Sequence, residues 1–215
     1  MMNKTIVSGL IAAALLSTGF ASSVSAHQAG DIIVRAGVAV VAPNESSQDV
    51  AGNGEFGVDD NTQLGLNFGY MLTDNIGIEL LAASPFTHDI SLDGIGKIAE
   101  TKQLPPTLVA QYYFGSADSK LRPYIGAGVN FTNFFDNEFT NDLDGALTDL
   151  SLTNSWGVAA QVGLDYQINK NWLVNASVWY AQISTDAHFK LAGDAVKIET
   201  DINPWVYMVS VGYTF

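Results

Sequence analysis

The side chains of this 215-residue chain that are suited to acid–base chemistry are few and scattered. Its three histidines, His27, His88 and His188, lie far apart, so a catalytic or metal-binding constellation would need distant segments to converge. Ser84, His88 and Asp89 can be drawn as a hydrolytic cluster, but they are sequence neighbours, whereas the members of a triad normally converge from separate positions. Asp142-x-Asp144-Gly145 has the spacing of part of a calcium loop, yet Thr140 stands at the first ligand position and Ser151 at the last. The absence of cysteine excludes disulfide scaffolds, zinc–thiolate clusters and thiol catalysis. The expectation is therefore a chain with no catalytic residue, cofactor or metal site. A formal charge of -13 excludes nucleic acid as a partner, because only cations release the counterions of a phosphate backbone.

Four other charged residues, Arg35, Glu79, Arg122 and Asp165, draw interest because of the elements that hold them. The chain alternates polar or small residues with large apolar ones over eight stretches. These are Ile32 to Val41, Thr62 to Leu72, Ile76 to Ala83, Thr107 to Phe114, Pro123 to Phe135, Thr153 to Tyr166, Trp172 to Ser184 and Pro204 to Phe215. In the second, Gln63, Gly65, Asn67 and Gly69 interleave with Leu64, Leu66, Phe68 and Tyr70. An even number of such strands suits a closed antiparallel barrel. The connections alternate too: Thr73 to Asn75, Gly115 to Leu121 and Gln167 to Asn171 are short, whereas Ala42 to Asn61, Ser84 to Pro106, Asp136 to Leu152 and Thr185 to Asn203 are long. Short periplasmic turns and long extracellular loops are the outer-membrane pattern.

Charge placement decides between a membrane barrel and a soluble, lipocalin-like one of the same strand count and opposite polarity. Within the eight stretches only Arg35, Glu79 and Asp165 are charged, and each shares parity with the Gly, Asn, Gln and Ser positions of its strand. No large-apolar face carries a charge, as a lipid-facing surface requires: Lys or Arg at the bilayer midplane costs about 2–4 kcal/mol. The aromatics agree. Tyr70, Tyr112, Phe114, Tyr166, Trp172, Tyr213 and Phe215 share the outward parity at the short-turn or terminal end, and Phe131, Phe135, Trp156, Tyr180, Trp205 and Tyr207 share it toward the long loops. Two interfacial girdles are predicted. Ahead of the first strand, Lys4, an apolar run from Ile6 to Leu16 and the small-residue site Val24-Ser25-Ala26 read as a secretory signal peptide over residues 1–26, leaving 27–215 as the barrel.

The segments Asn61 to Phe86, Leu104 to Gly115, Arg122 to Asn137, Ser155 to Tyr180 and Pro204 to Phe215 closely resemble the outer membrane protein W (OmpW) family of Gram-negative bacteria. The resemblance implies an outer-membrane barrel of eight strands whose narrow hydrophobic lumen passes small hydrophobic molecules. It also implies that Phe215 and Tyr213 belong to a C-terminal signal read by the outer-membrane assembly machinery.

Parity supports the apolar lumen independently. If Glu79 points inward so does Leu81, and if Asn175 and Ser177 point inward so does Trp179, with Ile183 nearer the outer rim. The resemblance marks Leu81 and Trp179 as the channel constriction; the alternative is simple packing of a narrow barrel. Arg35, Glu79, Arg122 and Asp165 then balance as a neutral ionic plug in the periplasmic half, or else contact water in the lumen mouth. With the bottom closed, a sideways exit is suggested by Pro85, Pro105 and Pro106, which cannot donate to a strand ladder, although these prolines also suit plain strand ends. The acidic long loops suit a solvated surface, bridged by divalent ions to lipopolysaccharide. Two functions follow: a channel for small hydrophobic molecules, or a surface barrel whose loops serve adhesion or are used by phages and toxins.

Overall fold

The computed structural model describes residues 27–50, 54–92 and 94–215; the signal peptide expected over residues 1–26 lies outside them. Eight strands form a closed antiparallel ring: β1 (Ile32–Ala42), β4 (Asn61–Met71), β5 (Ile76–Ala83), β8 (Thr107–Tyr113), β9 (Leu121–Phe139), β11 (Ser155–Gln167), β12 (Trp172–Ala181) and β15 (Trp205–Thr214). Sequence neighbours pair around the ring, β15 pairs with β1, and the β8–β9 and β9–β11 ladders complete the circle. Closure leaves no open edge in the ring, so each strand's backbone groups are satisfied without water, the condition for crossing a bilayer. Because side chains alternate across a strand, each polar-or-small series faces the lumen and each apolar series faces out. Val38, Leu64, Val162 and Val209 are thus exposed, Val209 by 68%. A belt of this kind is stable against hydrocarbon and a liability in water.

The turns between β4 and β5, β8 and β9, and β11 and β12 are short, as expected. The long connections at the other end are more ordered than the sequence suggested. They carry β2 (Ser46–Ser47), β3 (Phe56–Val58), β6 (Phe86–Leu92), β7 (Gly96–Leu104), β10 (Leu147–Leu152), β13 (Ser184–Leu191) and β14 (Asp194–Asp201). β6 and β7 form a hairpin joined to β3 on one side and to the upper half of β9 on the other, while β10, β13, β14 and β2 form a second, four-stranded sheet. These strands keep the period of two and reverse its polarity. Phe86, His88, Ile90 and Leu92 are buried whereas Asp89 is not, and Ile198 and Thr200 are buried between exposed Lys197, Glu199 and Asp201. The resulting apolar core includes Phe56, Ile90, Ile98, Phe189 and Ile198. Charged residues lie outside it, as a water-facing surface demands, and that same charge concealed the strands from a reading keyed to lipid-facing faces.

Candidate functional site

The barrel axis is layered. At its lower level, nearest the short turns, lies a buried polar cluster centred on Arg35 of β1. Its guanidinium pairs with Glu79 of β5, donates to Asp165 Oδ2 of β11 at 2.5 Å and donates to Tyr113 Oη at 3.0 Å. Glu79 Oε1 accepts from Asn67 Nδ2 and Gln161 Nε2, both at 2.9 Å. Asp165 Oδ1 accepts from Asn175 Nδ2 at 2.6 Å, and His27 Nε2 lies 2.7 Å from Asp165 Oδ2. Tyr113 Oη passes its proton bond to Gln111 at 2.9 Å, Gln111 donates to Gln161 at 2.8 Å, and Tyr124 Oη accepts from Asn175 at 2.8 Å. Buried charge is tolerated only when so surrounded. Gly163 makes room for this layer: a β-carbon there would sit 2.2 Å from the Tyr124 ring.

The structure therefore joins three of the four charges expected to form a plug through direct ion pairs. Arg122, opposite Asp165 in the β9–β11 register, donates to the backbone carbonyls of Asp74 (2.8 Å) and His27 (3.3 Å), with its guanidinium 5.3 Å from the Tyr113 ring centre. Its fork reaches main-chain oxygens at the turn, so the ionic floor is Arg35, Glu79 and Asp165, with His27 beneath and Arg122 beside Asp165. In the sequence His27 stands out only as an isolated histidine, and Tyr113, Tyr124, Gln111 and Gln161 are not marked as members of this cluster. The inward parity of all but His27 was the available signal; His27 precedes the first strand and has no parity to read.

Directly above, Leu81 and Trp179 meet in an apolar layer with Ala39, Val109, Ala159 and Met208. Trp179 Nε1 donates to Ser177 Oγ at 3.2 Å, which satisfies its one polar atom and orients the indole. A cavity of about 30 Å³ opens on this layer, lined by Leu81, Trp179 and Ile183 and reaching the wall at Ala82, Ala83 and Pro105. The β5–β8 ladder ends just there, at the Leu81–Thr107 pair. Pro85 separates β5 from β6, and Pro105 and Pro106 separate β7 from β8; Pro106 accepts at its carbonyl from Phe131 N, 3.0 Å away. Higher still, the extracellular sheets enclose a second cavity of about 80 Å³ walled by Phe56, Ile90, Ile98, Phe139 and Phe189 among others. Gln103 lines both cavities.

Gln103 and His88 form a polar pair on the lining of the upper cavity that parity alone does not reveal. His88 Nδ1 faces the Asp59 carbonyl at 2.8 Å, so Nδ1 carries the proton, and Nε2 is free to accept from Gln103 Nε2, also at 2.8 Å. Burial lowers the His88 pKa, outweighing the carbonyl and the nearby Asp59, Asp60 and Asp89, and the neutral ring fits both bonds. A histidine in phase with Phe86, Ile90 and Leu92 was the signal available. Ser84 and Asp89 do not join His88 in a triad: Ser84 Oγ donates to Gln63, and Asp89 pairs with Lys97 on the outer surface.

On the outer face the expected aromatic clusters form. Trp172 and Tyr213 meet edge to face at 5.0 Å, Tyr213 and Phe215 at 4.7 Å, and at the other end Phe131 lies 4.7 Å from Trp156 and Tyr180 5.2 Å from Trp205.

A family profile, that of the OmpW family, matches residues 28–215. The chain is 52% identical over 219 residues to "Outer membrane protein W" of Vibrio cholerae, covering 99% of this chain and 100% of the relative. It is equally identical over 216 residues to the protein of the same name in Escherichia coli, with both chains covered completely. Among solved structures it is similar to the outer membrane protein OprG from Pseudomonas aeruginosa, with a TM-score of 0.84 and 42% identity over 89% of this chain and 99% of the other. Together with the apolar belt, these relatives place the barrel in the outer membrane of a Gram-negative cell, as a membrane protein and not an enzyme.

Proposed function

This chain belongs to the OmpW family, and on that premise we propose that it admits small hydrophobic molecules through the outer membrane by a bent path. A solute enters the apolar cavity between the extracellular sheets and descends to the constriction at Leu81 and Trp179. It is turned aside there, because the hydrogen-bonded Arg35–Glu79–Asp165 floor would have to be broken to let it continue along the axis. It leaves through the wall beside Ala82, Ala83 and Pro105 into the bilayer. The single observation that supports this reading is the vertical order of two apolar cavities over a hydrogen-bonded ionic floor. Residues 1–26 serve as the export signal, the outward Tyr213–Phe215 pair engages the assembly machinery, and the acidic extracellular surface meets lipopolysaccharide through divalent ions.

The test is uptake by cells carrying Leu81→Asp or Trp179→Asp, with Val178→Ala on the outer face as control. Each Asp variant should assemble, shown by heat-modifiable mobility, and should lower hydrophobic uptake while raising ion leakage as water enters the constriction. Wild-type uptake in both assembled Asp variants would remove the constriction from the path.

A further inference from the structure

The large extracellular cavity is lined by few polar side chains, and most of these are spoken for. His88 has its two bonds, Thr101 Oγ1 donates to Asn137 at 2.6 Å, and Thr185 Oγ1 donates to the Thr153 carbonyl at 2.7 Å. Two polar atoms on lining residues have no hydrogen-bond partner among the described residues: Gln103 Oε1 and Thr200 Oγ1, on residues that are 2% and 7% exposed. A buried polar atom left alone costs about 1–3 kcal/mol. The bland explanation, a freely turning amide that satisfies itself elsewhere, is closed to Gln103. Its NH2 group is held by the His88 Nε2 lone pair, which would repel the carbonyl oxygen if the amide were reversed, and His88 is in turn fixed by Asp59. Gln103 Oε1 is thus locked as an acceptor, and its residue lines the extracellular cavity and the constriction cavity alike.

We propose that Gln103 selects, among small hydrophobic solutes, those bearing one hydrogen-bond donor, such as a phenol or an aliphatic alcohol. The apolar body lies among Ile90, Ile98 and Phe139 while the donor bonds Gln103 Oε1 at the passage toward the constriction. The inference rests on the proposed passage of hydrophobic solutes and names their chemical class. A hydrocarbon of the same shape fits the apolar walls but leaves Oε1 desolvated without a partner, and an ether presents a second acceptor to it. Discrimination by hydroxyl against methyl follows from the unpaired acceptor and not from size.

The experiment is a nuclear magnetic resonance titration of the full-length protein in lipid nanodiscs with three probes: p-cresol, its isostere p-xylene, and 4-methylanisole, in which the phenol is O-methylated. Affinities are referenced to partition into empty nanodiscs. The expected result is binding of p-cresol about tenfold tighter than of p-xylene or 4-methylanisole, corresponding to one hydrogen bond. A shift of the Gln103 side-chain amide signals should accompany p-cresol alone. In Gln103→Leu the three affinities should converge on the wild-type p-xylene value. Equal affinities in the wild type, or a p-cresol preference that survives in assembled Gln103→Leu, would overturn the proposal while leaving hydrophobic passage intact. If p-xylene and p-cresol both fail to bind the wild type, hydrophobic passage fails and the proposal fails with it. The wild-type comparison needs no variant, so misfolding of Gln103→Leu would not shield the idea.

Discussion

Arg35 and Asp165 face each other across the barrel interior, from strands β1 and β11 that share no ladder, with Nη2 and Oδ2 at 2.5 Å. That bond, with the Arg35–Glu79 pair, ties three separated strands through the lumen. Removing one member leaves the others charged and buried, which typically costs 3–5 kcal/mol, roughly. Arg35→Met should therefore lower the temperature at which the barrel loses its fast SDS mobility. The triple replacement Arg35→Met, Glu79→Gln, Asp165→Asn should recover part of the loss, because the layer then holds no charge of its own and only Arg122, on the Asp74 and His27 carbonyls, keeps one. A triple variant as weak as Arg35→Met would show that the floor depends on the hydrogen-bond geometry and not on charge balance.

Gly163 faces the Tyr124 ring so closely that no β-carbon fits. Gly163→Val should displace the ring and loosen the Asn175–Tyr124 bond, lowering the unfolding temperature in SDS. Gly193, at positive φ in the β13–β14 turn with open space around it, gives the contrast. Its replacement by Asn, the L residue that least resists that conformation, should lower the temperature far less. Equal effects would mean that the lumen repacks freely.

The buried neutral state of His88 makes the β6–β7 hairpin sensitive to acid. Its folded pKa is lowered by burial below the ordinary 6.5. The unfolded hairpin therefore takes up a proton first as pH falls below that ordinary value, and stability present above it declines toward the folded pKa. Hydrogen-exchange protection of β6 and β7 amides should be lower at pH 5.5 than at pH 7.5, with barrel amides unchanged. His88→Gln should abolish the difference; a difference that persists would place the sensitive group elsewhere.

Orientation is tested by insertion. An epitope at Ala192–Gly193, the tip of the β13–β14 hairpin, should bind antibody on intact cells, whereas one at Asp74 in the β4–β5 turn should bind only after permeabilisation. Surface labelling at Asp74 would invert the barrel.

Much of this molecule was legible in one dimension because a membrane barrel obeys a local rule. Parity alone separates lipid from lumen, so the outward Val162 and Val209 and the inward Arg35, Glu79, Leu81, Asp165 and Trp179 are assigned without knowing any neighbour. The alternation of connection lengths gives the two ends. Parity says which face a residue occupies but not which residues share a level, and level depends on strand stagger around the ring. Hence parity does not reveal that Arg122, the register partner of Asp165, directs its donors to the Asp74 and His27 carbonyls. The extracellular sheets were hidden for a related reason: their inside is apolar and their outside charged, the inverse of the membrane-spanning pattern, so the segments from Phe86 to Leu104 and Ser184 to Asp201 looked like solvated loop. Only the folded chain brings Asp59, His88 and Gln103 together, since they come from a connection and two strands of different register. Only there does a glutamine that reads as unremarkable become an acceptor with a fixed direction.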